Sequence, residues 1–221
     1  MSVSLFDILG PITVGPSSSH TAGAVRLGLA CRMLLDEEIK SAKITLYGSF
    51  AETYRGHGTD KALVGGLLGH RPEDIENRDS LDIAAQKGME IEFETAEEPR
   101  YHPNTVKIEA VGVSGKKIKL RGASVGGGAI RLNTLNEFTI NTPCNQDTLV
   151  IIHTDVAGIL STITTIMAWA GYNISNMTLT RTKKNGDVVS LIETDIPVAE
   201  ETVDMLRKTK NVIQIIKIPK F

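Results

Sequence analysis

The sequence predicts an α+β fold in two parts, and three observations carry that prediction. Helical and strand-like periodicities alternate along the 221 residues. A polar, proline-broken stretch, Asn141-Thr142-Pro143-Cys144-Asn145-Gln146, divides the chain. Beyond it the elements come in the order βαββαβ, the ferredoxin-like arrangement. The two parts are residues 1–146 and 147–221.

In the first part an apolar segment over 5–14 is stopped by Gly15-Pro16, and Ser17-Ser18-Ser19 offers strong N-cap residues. A helix therefore starts near Ser18 or Ser19 and carries Val25, Leu27, Leu29, Met33 and Leu34. Alternation over 42–48, with Ile44 and Leu46 on one face, predicts a strand. Residues 48–54 fit either an extension of that strand or a turn. Arg55-Gly56-His57-Gly58 then leads to a second helix, capped by Thr59 or Asp60 and stopped by Gly69. A loop follows over 71–75, then a short helix over 80–87 ended by Gly88, and a strand over 89–95. Residues 96–100 form a solvated turn, and Pro103 biases His102 toward extended backbone. Strands over 106–113 and 116–121 meet at Ser114-Gly115. Gly126-Gly127-Gly128 suits a loop that lets backbone pass close to another chain or a ligand.

In the second part strands are predicted over 148–153, 174–181, 188–195 and 212–218, the middle two turned at 183–187. Helices over 158–170 and 199–209 complete the order.

Bulk properties exclude several classes. With 24 basic against 26 acidic residues, no basic stripe for nucleic acid is expected. No apolar run is long enough to span a membrane, and no secretory signal opens the chain. Only two cysteines occur, Cys31 and Cys144, without zinc or CxxC spacing, which points to a reduced cytoplasmic setting. Two thiols are also too few for a cubane iron–sulfur cluster, which takes ~4 thiolates. Cys31, on the first helix, reads as core.

The chemistry concentrates in three loops. Gly15-Pro16-Ser17-Ser18-Ser19-His20-Thr21 combines hydroxyls and an imidazole with a helix start, where backbone N–H groups lack intrahelical partners. Such a site suits a small carboxylate or phosphate; an ordinary serine cap with an exposed histidine is the plainer alternative. Gly56-His57-Gly58-Thr59-Asp60 places a second histidine before a second helix, and Tyr101-His102-Pro103-Asn104 supplies a third. Imidazole suits general-base work because its pKa lies near working pH. A mononuclear metal site on His20, His57 and His102 is weighed and ranked below: HxH or HxxxH spacing is absent, and so is a carboxylate second shell. No metal is assigned to this chain. His70, after Gly69, reads as a surface or helix-end histidine.

These three motifs, in this order and followed by His153-Thr154-Asp155-Val156-Ala157-Gly158-Ile159-Leu160, resemble iron–sulfur-dependent L-serine dehydratases. The resemblance covers essentially the whole chain and is to the β subunit of the two-subunit type, with a C-terminal ACT domain. The first part is similar to the allosteric substrate-binding domain of phosphoglycerate dehydrogenases. The resemblance implies an L-serine ammonia-lyase that yields pyruvate and ammonia. Its 4Fe-4S cluster would be ligated by a separate, cysteine-containing α subunit, where an open iron takes the serine hydroxyl.

What then falls to this chain is carboxylate anchoring and proton transfer. Ser17, Ser18, Ser19 and Thr21, with Thr59, His102 and Asn104, are the substrate-binding candidates. His57 is assigned the base and His20 a substrate contact, with the reverse assignment open. His153, Asp155, Gly158 and Asn176 match the ACT effector loop and its facing strand. Self-association through the ACT or N-terminal part is expected, and an ACT domain serving only for dimerisation is the competing reading of that part. A non-catalytic, effector-binding regulatory chain is the rival for the whole, with a free-standing amino-acid-binding protein third.

Overall fold

The computed structural model describes residues 17–221, so the apolar segment over 5–14 and the Gly15-Pro16 stop lie outside the described residues. By contacts the chain divides into two compact units. One holds the residues up to Asn136 with Asn141–Pro143, the other Glu137–Ile140 with Cys144–Phe221.

The first unit opens with a π-helical turn, Ser18–Gly23, that runs straight into helix α1, Ala24–Leu35. Strand β1 (Ile39–Tyr47) follows, then helices α2 (Gly48–Thr53), α3 (Thr59–Leu68) and α4 (Ser80–Gln86), with a 3₁₀ turn, Ile75–Asp79, before α4. Strands β2 (Glu90–Ala96), β3 (Thr105–Gly112), β4 (Lys117–Gly126) and β5 (Ala129–Leu135) follow, and β6 (Phe138–Thr142), whose residues up to Ile140 group by contacts with the second unit, completes a sheet of order β2-β1-β3-β4-β5-β6. β1 and β2 are parallel because the three helices cross between them; β1 with β3, β3 with β4, and β4 with β5 are antiparallel.

One face of this sheet packs on helices and the other is solvated, as the alternation in β3 shows. Val106, Ile108 and Ala110 are buried. Lys107 and Glu109 point the other way into a charge ladder that also takes Lys119. The core is filled by Leu27, Ile44, Leu46, Phe50, Leu63, Leu67, Leu120 and Leu132. Helices α1 and α3 approach closely because glycines sit at their crossing. A Cβ on Gly28 would overlap the Leu63 carbonyl, and one on Gly66 the Val25 carbonyl.

Three local features differ from the sequence reading. Residues 48–54 form a helix rather than strand or turn: Gly48 takes φ 53°, breaks from β1, and starts α2 at once. The cap of α3 is Gly58 in the left-handed region (φ 69°), not Thr59 or Asp60. Thr59 is helical and fully buried. Residues 129–142 form β5 and β6, for which the sequence reading assigns no elements although Ile130, Leu132, Phe138 and Ile140 alternate with polar residues.

The second unit has strands β7 (Asp147–Thr154), β8 (Ile174–Arg181), β9 (Asp187–Thr194) and β10 (Val212–Ile218), with helices α5 (Ile159–Trp169) and α6 (Glu200–Arg207). All pairings are antiparallel in the order β10-β7-β9-β8, so the βαββαβ expectation is met. Leu149, Ile151, Ile192 and Ile215 of the sheet pack against Ile163 and Met167 of α5 and Val203 and Leu206 of α6.

Candidate active site

His20 sits within the π-helical turn, and its position is fixed from both sides. Ser17 caps the turn: its Oγ accepts from the His20 backbone N–H at 3.3 Å and lies 3.3 Å from Nδ1 of the same residue. Nε2 lies 3.3 Å from Ser49 Oγ, on the first turn of α2. The ring packs edge-on against buried Phe50, centroids 5.2 Å apart, and against His57 at 4.8 Å with 83° between the planes. Burial, seconded by the charge His57 would carry, holds the His20 pKa below its ordinary value; a hydrogen bond from the ring to the Ser49 backbone opposes the shift. His20 is thereby kept neutral near pH 7, able to accept a proton.

His57 is exposed between Gly56 and Gly58. Its N–H donates to Thr53 O at 3.0 Å, which continues α2 up to the loop, and Gly58 turns the chain sharply into α3. The imidazole lines a cleft of about 500 Å³, together with Thr21, Arg55, Lys61, Asn77, Arg78 and Asp79. Such a volume is in the usual range for a small-molecule site.

The remaining substrate-binding candidates fall into different settings. Thr21 lines this cleft, is 4 % exposed, and its Oγ1 has no hydrogen-bond partner. Thr59 Oγ1 is likewise buried and without a partner, at the start of α3. Ser17 is used in capping, and Ser18 and Ser19 are half-buried on the turn. The third loop reaches the site through backbone. Pro103 O accepts from Phe50 N at 3.3 Å, and Asn104 O accepts from Ser124 N at 3.1 Å. Ser124 lies against Gly23, where a Cβ would overlap its hydroxyl. His102 is exposed and its Nδ1 accepts from Asn104 N at 3.1 Å, so this ring braces its own loop.

The structure therefore joins His20 and His57 directly, and ties in the His102 loop through Pro103 and Asn104. Both nitrogens of His20 are engaged with serine hydroxyls, an arrangement unlike a metal ligand. Among the described residues no group of three or more His, Cys, Asp or Glu side chains is placed to hold a metal ion.

Sequence reasoning missed Ser49, which lies in the stretch that fitted strand or turn alike. It also missed the cleft wall made by Lys61, Asn77, Arg78 and Asp79. Lys61 follows the Gly-His-Gly motif closely, a signal within reach; the other three sit in the 3₁₀ turn, which carries no motif.

Comparison with known proteins decides the family. The serine dehydratase beta chain family model matches residues 4–88, and the ACT domain model residues 148–211. A "Probable L-serine dehydratase, beta chain" of Bacillus subtilis is 39 % identical over 215 residues, 97 % of this chain and 97 % of its own. This chain belongs to the L-serine dehydratase beta-chain family.

A second family member, the beta chain from Peptoniphilus asaccharolyticus, is 35 % identical over 89 % of both chains. A D-3-phosphoglycerate dehydrogenase from Synechocystis aligns at 25 % identity with 86 % of this chain and 34 % of its own length. That alignment agrees with the similarity expected for the first part.

Within the ACT domain of this family member, the four effector candidates do not come together. His153 is buried, with Nε2 2.9 Å from Ser190 Oγ and Nδ1 3.0 Å from Thr154 O, so its polar atoms are used internally. Asp155 pairs with Arg181 at 2.8 Å and accepts from Asn185 N at 3.2 Å. These two partners hold its carboxyl below the usual range. Gly158 is exposed, with φ 88°, and caps α5 without a side-chain bond. Asn176 donates to Glu193 at 3.2 Å. It lies five residues along β8 from Arg181, roughly 16 Å in an extended strand. Asp155 and Gly158 share a loop; His153 lies beneath it and Asn176 is remote.

Proposed function

We propose that this chain is the β subunit of an L-serine ammonia-lyase, converting L-serine to pyruvate and ammonia in the cytoplasm. It supplies carboxylate-anchoring and proton-transfer residues to a site completed by a cysteine-containing α subunit that holds a 4Fe-4S cluster. The observation that carries this reading is the His20–His57 pair, edge to face at 4.8 Å, with His57 lining an open cleft.

The residues of this chain do not fit the cluster. Ligation needs thiolates. Cys31 is fully buried with its thiol pushed up to about 12, and Cys144 is 1 % exposed. The cluster is accordingly assigned to the partner, and the work of this chain is confined to anchoring and proton transfer.

Removing the α-proton of serine requires a neutral base beside an anchored carboxylate. Ser18, Ser19 and Thr21 stand where the π-helical turn begins, and the N–H groups there attract a carboxylate. His57, exposed in the cleft, takes the proton. His20, locked between Ser17 and Ser49, contacts the substrate and keeps the His57 ring in place. A positive charge formed on His57 is stabilised by a neutral rather than a charged neighbour.

The ACT domain adds effector binding at the Asp155–Gly158 loop, where the uncapped start of α5 faces solvent. Among the described residues no helix is long and apolar enough to cross a membrane.

Anaerobic co-expression with the α subunit, followed by a pyruvate assay on L-serine, tests the proposal. The assembly should produce pyruvate and the isolated chain none. Turnover by the isolated chain would defeat the two-subunit reading, and an inactive assembly would favour a regulatory chain.

A further inference from the structure

The far wall of the cleft is made where α3 meets the 3₁₀ turn and α4. Ser80 Oγ donates to Lys61 O at 2.5 Å, which pins the Arg78-Asp79 end of that turn beside the first turn of α3. Asn77 anchors it from below. Its Nδ2 donates to Arg71 O at 2.7 Å, and its side chain occupies the space that a Cβ on Gly65 would need. Lys61, Arg78 and Asp79 thus converge on the space that His57 and Thr21 border.

This wall has the attributes of a polar ligand site. Thr21 Oγ1 is buried without a partner, in a cleft-lining residue only 4 % exposed. Buried polar atoms left unpaired are costly, and a ligand relieves that cost. The cations of the sheet are matched: Lys43 with Glu92 and Glu94, Lys107 and Lys119 with Glu109. At the cleft, cations outnumber acids: Arg55, Lys61 and Arg78 face Asp79 alone. A carboxylate is drawn to the cations, and an ammonium on the adjacent carbon is drawn to the single acid.

We propose that this wall is the head-group site for a zwitterionic α-amino acid. Lys61 and Arg78 share the carboxylate with the serine turn, and Asp79 receives the ammonium. This rests on the lyase reading above and deepens it. The serine turn binds any small acid, whereas Asp79 selects an acid bearing an α-ammonium. The α C–H of the amino acid is left facing His57.

The test uses the assembled two-subunit enzyme, with 3-hydroxypropionate (no ammonium) and ethanolamine (no carboxylate) as competitive probes. Arg78→Gln and Lys61→Gln should each raise KM for L-serine by ~10-fold or more with kcat little changed, as for lost ground-state binding. Arg78→Gln should weaken inhibition by 3-hydroxypropionate and spare ethanolamine; Asp79→Asn should do the opposite. Arg78→Lys should recover part of the loss. Asp79 is exposed and makes no capping bond to α4, so its substitution leaves the fold in place.

Wild-type KM in all three charge variants overturns the proposal. So does an equal loss of both inhibitors in every variant, which would mean a diffuse field, or a KM change traced by sedimentation to weaker subunit association. If the wild-type assembly forms no pyruvate, the lyase reading falls. Calorimetry of the full chain with L-serine then decides the head-group site: binding weakened ~10-fold by Asp79→Asn upholds it, and no binding ends it.

Discussion

His20 Nε2 lies 3.3 Å from Ser49 Oγ, so the serine turn and the first turn of α2 are joined through one imidazole. Two segments 29 residues apart in the chain are thereby held in register. Phe50, next to Ser49, carries the same link onward: its N–H donates to Pro103 O and its ring meets His20. The three histidine-bearing loops converge through short polar contacts around one buried aromatic.

Burial first, and then the charge His57 would carry, lower the His20 pKa. His57→Ala removes that neighbour and part of the cover over His20. The His20 pKa should therefore rise, measurable by proton NMR of the isolated chain. In the assembled enzyme the same variant should lower kcat by ~100-fold or more, the usual scale for a lost general base, with KM little changed. His20→Ala should mainly raise KM. A large kcat loss in His20→Ala beside a near-normal His57→Ala would exchange the two roles.

The lowered His20 pKa also sets a pH dependence of folding. Below the unfolded value of 6.5 the unfolded chain binds a proton that the folded chain resists. This contribution is absent above that pH and costs stability as pH falls from there toward the lower folded pKa. Urea midpoints should drop between about pH 7 and pH 5, and the drop should be smaller in His20→Ala. An unchanged drop in that variant would show that other groups carry the acid sensitivity.

The closeness of α1 and α3 depends on Gly28 and Gly66, and Gly66→Ala tests it. A methyl there meets the Val25 carbonyl and the Leu29 amide, both backbone that cannot rotate away. Overpacking of this kind costs ~1–3 kcal/mol, read as a lower urea midpoint at unchanged slope. A gain in stability, as expected for Ala in an unconstrained helix, would mean that the helices slide apart freely.

Much of this was legible from residue patterns. The alternation of β3 follows one-sided burial and the continuous apolar run of β7 follows its central place in the sheet, so both patterns located their strands well. The Gly-His-Gly motif pointed to the site because glycine is needed at Gly58, where φ is 69°. Residues 48–54 were not legible: Gly-Ser-Phe-Ala-Glu-Thr-Tyr has no helical stripe, and α2 is held by tertiary contacts of Phe50 and by the Thr53 hydroxyl on Ser49 O. The π-helical turn was equally hidden, since a Ser-rich start fits an α-helix as well. His153 misled because its neighbours match an effector loop while its own ring points inward to Ser190. Sequence spacing does not report which side of a strand end is covered.

The cysteines give a chemical prediction. With its thiol at about 12 and no exposure, Cys31 should resist alkylation by iodoacetamide at neutral pH and react only after unfolding. Cys144, 1 % exposed, should be similarly shielded. Anaerobic incubation of the pure chain with iron and sulfide should leave it without cluster absorbance. Stoichiometric brown cluster on the folded chain would overturn the assignment of the 4Fe-4S group to the α subunit.

Gly158 offers the sharpest test of the ACT loop. Its φ of 88° lies in the left-handed region, where a β-branched side chain is strained even though open space surrounds the position. Gly158→Val must shift the backbone between Asp155 and the first turn of α5, moving the N–H groups that would meet an effector carboxylate. Calorimetric titration of the full chain with the twenty amino acids should find a ligand whose affinity falls ~10-fold or more in this variant, the scale of about 1.4 kcal/mol of lost contact. Asp155→Ala separates strain from recognition, because it removes the partner of Arg181 while leaving Gly158 untouched. A ligand held by the loop should weaken in both variants. One that weakens in neither would place the effector elsewhere, and the Asp155–Gly158 loop would then serve only to join β7 to α5.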